Sequence, residues 1–296
     1  MNMKTITTRA ARVLGVVTAV AMVVVGIATV SAGQNLTVKG SDTMVILGQR
    51  WAEHYMNMNP GVAIQVTGGG SGTGIAALLN KTTDIANSSR PIKDKERQDA
   101  LKNGVEAYEY RVAMDALAVV VNAQNPINEL TMKQVMGIYI GAINNWKQIG
   151  GPDAPILRYS RESNSGTYVF FKEHVLQNKD YAADCQTMPG TSAVSEAVSR
   201  DAGGIGYGGV AYFASQPALK ILAIKKDENL PAIHPLLSSG QIDFPAAWEE
   251  RYPIARYLFM YTAGKPQGVT REYLDWILGP EGQRIVEEIG YVPLAG

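Results

Sequence analysis

Thr67-Gly68-Gly69-Gly70-Ser71-Gly72-Thr73-Gly74 is the stretch on which the reading of this chain turns. Val62-Ala63-Ile64-Gln65-Val66 before it reads as a short strand, and Ile75-Ala76-Ala77-Leu78-Leu79 after it is apolar and helix-compatible. A strand, a glycine turn and a helix start aim backbone N–H groups at an anion. The first N–H groups of a helix have no internal partner, and the helix dipole favours negative charge there. Glycine lets a ligand come close to that backbone.

The chain repeats the device. Ser41-Asp42-Thr43 follows the strand Leu36–Lys39, Ser88-Ser89-Arg90 follows Asp84–Asn87, and Ser165-Gly166-Thr167 follows Ile156–Ser160. Ser and Thr are also the favoured helix N-caps, so one such junction would mean only a cap. Four junctions, two with glycine directly after serine and one preceded by arginine, argue for a shared purpose. Arg161 lies four residues before Ser165, so one loop supplies a guanidinium fork and a nest of N–H groups together. Many neutral donors with one or two positive charges suit a tetrahedral oxyanion.

Around these turns, strands and helices alternate. Helices are expected from the first junction to about Met58, over Lys93–Lys102, over Met132–Tyr139 with Thr131 as cap, and over Tyr168–Val175, Thr191–Val198, Thr270–Leu278 and Glu281–Ile289. Tyr108–Ala113 reads as extended, and the unbroken apolar run Ala116–Asn122 suits a strand covered on both faces. The alternation predicts an α/β fold with mostly parallel sheets, whose ligands bind at the carboxyl ends of strands, where the serine turns fall.

Composition narrows the function. Lys4, Arg9 and Arg12, the apolar run Val13–Val30 and the small-residue pattern Val30-Ser31-Ala32 form a secretory signal peptide over residues 1–32, rather than a membrane anchor. Without it the chain keeps 24 basic and 27 acidic residues, a net charge of −3 that argues against nucleic acid and anionic membranes as partners. Cys185 is the only cysteine and the three histidines are scattered, so neither a disulfide nor a metal site is expected, and no cofactor. Gly72-Thr73-Gly74-Ile75-Ala76-Ala77 fits a dinucleotide fingerprint, but the next strand ends in Asn87-Ser88-Ser89 instead of the required acid. No Gly-Lys-Ser/Thr follows either glycine-rich loop, and Gly69-Gly70-Ser71-Gly72-Thr73 ends in Thr where a nucleophile elbow needs Gly.

With Gly40-Ser41-Asp42-Thr43-Met44, Gly69–Gly74, Asp84–Arg90, Ala118–Asn122, Asn145-Trp146, Arg161 with Ser165-Gly166-Thr167, and the ending Gly279–Gln283 with Gly290–Leu294, the chain resembles the PstS-type phosphate-binding proteins of bacterial ABC importers over nearly its whole mature length. The resemblance implies a two-lobed periplasmic-binding-protein type II fold with the anion in the cleft. Residues 33–115 would form the first lobe, 116–224 the second, and 225–296 would return to the first, with hinges near Val112–Leu117 and between about Lys225 and Tyr261.

Carried over residue by residue, the ligand set is Thr43, Met44, Ser71, Gly72, Ser88, Ser89, Arg161, Ser165, Gly166 and Thr167. The family's acceptor for the phosphate proton is an Asp that aligns with Ser89 here; a shorter subgroup also carries Ser-Ser-Arg there. The acceptor role therefore passes to Asp42 or Glu162, with Asp42 the expected one. Arg90 is expected either to pair with one of these acids or to touch ligand, and Glu162 to stand behind the contact residues. The implied protein is an exported, periplasmic or otherwise extracytoplasmic, monomeric receptor that hands phosphate to permease subunits and catalyses nothing. The rivals are a receptor for sulfate, molybdate or tungstate, a phosphate-ester hydrolase, and an adhesion or signalling role.

Overall fold

The computed structural model describes residues 34–295, and the signal peptide expected over residues 1–32 lies outside the described residues. Over residues 34–102 the expected alternation holds. It gives β1 (Gln34–Gly40), α1 (Val45–Met58), β2 (Val62–Thr67), α2 (Ser71–Leu79), β3 (Ile85–Ser88) and α3 (Asp94–Lys102). β1 pairs in parallel with β2 on one side and β3 on the other, so their three carboxyl-end turns emerge together. Glycine makes the packing of α2 possible. A Cβ on Gly74 would stand 2.4 Å from the Lys39 carbonyl oxygen and 2.6 Å from Gly40 Cα, against the end of β1.

The two extended runs around residues 108–122 form one strand, β4 (Ala107–Asn122), buried at every residue from Val112 onward. Beyond it come β5 (Glu129–Thr131), α4 (Met132–Tyr139), β6 (Leu157–Arg161), α5 (Gly166–His174), β7 (Gln186–Met188), α6 (Thr191–Arg200), β8 (Gly204–Gly209), β9 (Leu219–Ile221) and β10 (Ala223–Lys225). The chain closes with α7 (Phe244–Trp248), β11 (Ala255–Ala263), α8 (Gly268–Leu278) and α9 (Pro280–Glu288). Thr131 caps α4 as expected, its hydroxyl accepting from Gln134 N at 3.1 Å.

The main sheet runs β2-β1-β3-β11-β4-β8-β6-β7, with β9 beside β4. Five of the nine strand pairings are parallel, β5 with β10 among them, and the antiparallel ones all involve β4 or β11. β6 is parallel to β7 and β8, as β1 is to its neighbours, but β11 is antiparallel to β3 and β4, and β4 to β8 and β9. The reason is the chain path. β4 carries the backbone from one hydrophobic core into the other and β11 brings it back, so the two run in opposite directions. Val112 and Ala113 of β4 pack with Leu36, Trp51, Leu258, Tyr273 and Val286; Met114 and Ala116 to Val121 pack with Val135, Trp146, Phe171, Val194 and Tyr207. Ile242, Ala246, Ala247, Tyr252 and Ile254 belong to that second core. We therefore propose that the chain returns to the first lobe near residue 255, later than the residue 225 drawn from sequence.

Candidate functional site

The carboxyl-end turns of β1, β2 and β3 face the start of α5, and their hydroxyls meet. Thr43 Oγ1 lies 2.8 Å from Thr167 Oγ1, Ser71 Oγ lies 3.4 Å from Ser89 Oγ, and Ser89 Oγ lies 3.5 Å from Thr167 Oγ1. Ser89 N donates to Ser71 Oγ at 3.1 Å. All four side chains are buried. Gly166 fits between the two walls with no room to spare, since a Cβ there would stand 2.3 Å from Ser71 Oγ and 2.7 Å from Ser89 Oγ. Gly166 and Thr167 are the first two residues of α5. Their N–H groups have no partner inside the helix, and the helix dipole adds positive potential at the same point.

Two buried guanidinium groups flank this hydroxyl cluster. Arg161, at the end of β6, donates through Nη1 to Thr191 Oγ1 at 2.9 Å and through Nη2 to Asp42 Oδ2 at 2.7 Å. Arg256, on β11, donates through Nη2 to Asp115 Oδ2 at 2.8 Å and to Thr167 Oγ1 at 2.9 Å. Burial lowers the Arg256 pKa, with the Asp115 carboxylate working against that shift. Arg161 Nε, Arg256 Nη1 and Asp115 Oδ1 are buried without a hydrogen-bond partner. Buried polar atoms of this kind cost free energy unless something pairs with them, and two leftover cationic donors beside four hydroxyls suit an anion.

The structure brings Thr43, Ser71, Ser89, Arg161, Gly166 and Thr167 together. It places other expected residues differently. The Ser88 hydroxyl donates to the Arg90 carbonyl at 2.7 Å and closes a local turn. Met44 N donates to the Ser41 carbonyl at 3.0 Å and Gly72 N to the Asn164 carbonyl at 2.9 Å, so neither N–H is free. Ser165 acts as the N-cap of α5, accepting from Tyr168 N at 3.4 Å. Glu162 is exposed at the rim. Asp42 uses Oδ1 on Gly69 N at 2.7 Å and Oδ2 on Arg161, so both of its oxygens already accept hydrogen bonds. Sequence reasoning missed Asp115, Arg256 and Thr191. The signal for the first two was present: each is a lone charge inside an apolar strand, Val112–Val121 and Ile254–Met260.

Arg90 pairs with neither Asp42 nor Glu162. Its Nη1 and Nη2 donate to Glu96 Oε2 and Oε1 at 2.8 and 2.7 Å, while Glu96 Oε2 also accepts from Lys93 N at 2.8 Å and so anchors the start of α3. Burial would raise the Glu96 pKa, but the hydrogen bonds from Arg90 and Lys93 outweigh it and the pKa falls below the ordinary 4.5. The stability this pair contributes is therefore complete above the ordinary Glu range and is lost as pH falls below about 4.5 through the lowered folded value. Glu96→Gln is expected to cost about 2 kcal/mol at pH 7 and much less at pH 3, readable as the change in urea midpoint at the two pH values.

Comparison with known proteins gives the relatives of the chain. Residues 27–281 match the PBP superfamily domain. The chain is 32% identical to the phosphate-binding protein PstS of Pseudomonas aeruginosa, over 88% of this chain and 83% of that one. It is 33% identical to the protein SphX of Synechococcus elongatus, over 97% of this chain and 86% of that one. Among solved structures it resembles a Clostridium perfringens protein described as a phosphate ABC transporter substrate-binding protein and solved with bound phosphate. The TM-score is 0.77 at 25% identity, over 88% of this chain and 100% of the other.

Proposed function

The chain belongs to the PstS-type phosphate-binding proteins of the PBP superfamily, and from that premise we propose how it holds its ligand and where it works. It is a receptor that binds inorganic phosphate for an ABC importer, not an enzyme. In our reading the anion enters between the two lobes and takes the place of the direct hydroxyl contacts. Thr43, Ser71, Ser89 and Thr167 then donate to its oxygens, together with the free N–H groups at the start of α5. Arg161 supplies the main charge and Arg256 the second. The observation that carries this reading is the pair of buried guanidinium groups with unpartnered donors, Arg161 Nε and Arg256 Nη1, beside four converging hydroxyls.

The segment before residue 33 directs export and is removed, and the mature monomer delivers phosphate to permease subunits outside the cytoplasm. None of the described helices is long and apolar enough to cross a membrane. Calorimetric titration of the purified protein with phosphate, sulfate and molybdate tests the ligand. A single saturable phosphate site is the expected result. Tighter binding of molybdate or sulfate would move the protein to another oxyanion.

A further inference from the structure

The helix behind the first anion turn starts without a cap of its own. The turn Asp42–Met44 leads straight into α1, Met44 holds the N-cap position, and no side-chain hydrogen bond closes that end. Ser, Thr, Asp or Asn there would satisfy an N–H of the first helical turn, and Met cannot. The group that meets this end comes from far along the chain. Tyr212 ends the short 3-10 turn Val210–Tyr212 that follows β8, and it is half-buried. Its hydroxyl donates to the Asp42 carbonyl at 2.6 Å. Burial pushes its pKa up to about 12, and the Ile46 N–H, the second of α1, faces the phenol oxygen and works against that shift. At neutral pH the phenol thus keeps its proton. It donates to the turn before α1 and accepts from the first turn of the helix, as a capping side chain does.

The two partners belong to different cores. Met44 and Leu47 lie in the first core with Trp51, and Ile46 packs at its edge; Val210 lies in the second core with Val194 and Tyr207, and Tyr212 packs against it. The turn that carries Tyr212 meets the first core at two points. A Cβ on Gly209 would stand 3.1 Å from Thr43 Cγ2, and one on Gly290 would stand 3.6 Å from Ala211 Cβ. A second phenol, Tyr291, donates to the Thr43 carbonyl, but it lies in the first core itself, beside the turn it serves. One phenol therefore holds the anion turn from within its own core and the other from across the cleft. We infer that Tyr212 caps α1 in trans, only while the two lobes are together, and so is a positioning residue for phosphate. It fixes the turn that carries the Thr43 hydroxyl and the Asp42 carboxylate, which in turn holds Arg161. It acts through that turn, not on the anion. This inference rests on the phosphate reading above.

Tyr212→Phe keeps the ring and removes only the hydroxyl. Calorimetric titration should show it binding phosphate about tenfold more weakly than the wild type. Its melting temperature without phosphate should stay within about 1 °C of the wild type, because in the open molecule the hydroxyl holds nothing of the first lobe. Tyr291→Phe is the comparison. Its hydroxyl works inside one core, so its melting temperature without phosphate should fall by about 3 °C. Amide hydrogen exchange reads the cap directly. Phosphate should slow exchange at the Ile46 N–H at least about tenfold in the wild type and less than about threefold in Tyr212→Phe. Three results would each overturn the inference while leaving the phosphate reading in place: phosphate affinity of Tyr212→Phe within about twofold of the wild type, equal slowing at Ile46 in both proteins, or an unliganded melting temperature lowered as far as in Tyr291→Phe. A Tyr212→Phe protein that fails to fold cooperatively also overturns it, since a cap formed only on closure cannot be needed for folding. A wild type that binds no phosphate removes the phosphate reading and this inference with it.

Discussion

Gly166→Ala is expected to weaken phosphate binding on the order of a hundredfold, about 3 kcal/mol, while leaving the protein folded. The added methyl would meet Ser71 Oγ at 2.3 Å, Ser89 Oγ at 2.7 Å and Ser71 Cβ at 2.9 Å. Those atoms belong to the opposite wall of the cleft, and the serines are short and buried, so they have little room to yield. Gly166 is the first residue of α5 and lacks the positive φ seen at Gly69 or Gly70, so alanine brings no backbone strain. The effect is steric and falls on closure. Titration should show weak binding with a melting temperature near that of the wild type in the absence of phosphate, and a much smaller rise in that temperature on adding phosphate. Unaltered affinity would mean that the two loops never come this close in the bound state.

Arg161→Gln should weaken phosphate binding by roughly two to three orders of magnitude, about 3–4 kcal/mol. The side chain is 1% exposed, its Nη1 and Nη2 are held by Thr191 and Asp42, and its Nε is unpartnered, so the fork is oriented before any anion arrives. Preorganised donors of this kind do not spend ligand affinity on ordering themselves. Arg161→Lys should recover less than about a tenth of the lost binding constant, because an ammonium cannot hold Thr191, Asp42 and an anion in one plane. In Arg161→Gln, Asp42 loses its charge partner, but its side chain is 18% exposed and water reaches it, so only a small loss of stability is expected. A phosphate constant within threefold of the wild type in Arg161→Gln would remove Arg161 from the site.

What could be read from sequence was local. The strand, glycine turn and helix of residues 62–79, and the serine turns at 41, 89 and 165, follow from backbone and hydroxyl chemistry within a few residues, and all lie where their strands end. Arg161 was legible because it shares its loop with Gly166 and Thr167. Side-chain direction was not. Ser88 and Ser89 are neighbours, yet one closes its own turn and the other faces Ser71, because successive residues at a strand end point to opposite sides. The Asp115–Arg256 pair joins residues 141 apart and appears only once β4 and β11 are in register. The partner of Arg90 was within reach, since Lys93 and Glu96 have the spacing of a helix-capping box and Glu96 lies six residues from the arginine. The mostly parallel pairing expected from alternation is present around β1 and β6, but alternation did not give the two crossing strands, because it describes each core and is silent on how a chain passes between two of them.

The rim of the cleft also bears on time. Asn164 fastens one wall to the other: its carbonyl accepts from Gly72 N at 2.9 Å, and its amide donates to the Gly69 carbonyl at 3.0 Å and to Thr73 Oγ1 at 3.3 Å. None of these groups touches the central hydroxyls. They tie the loop after β2 to the loop before α5, so on the phosphate reading proposed above escape of a bound anion waits on the opening of this clasp. Residence time and affinity thus become separate properties of one molecule. Loosening Asn164 should shorten the first far more than it changes the second. A membrane partner that drew the Asn164 amide off Gly69 and Thr73 would hasten unloading while Ser71 still held the cargo.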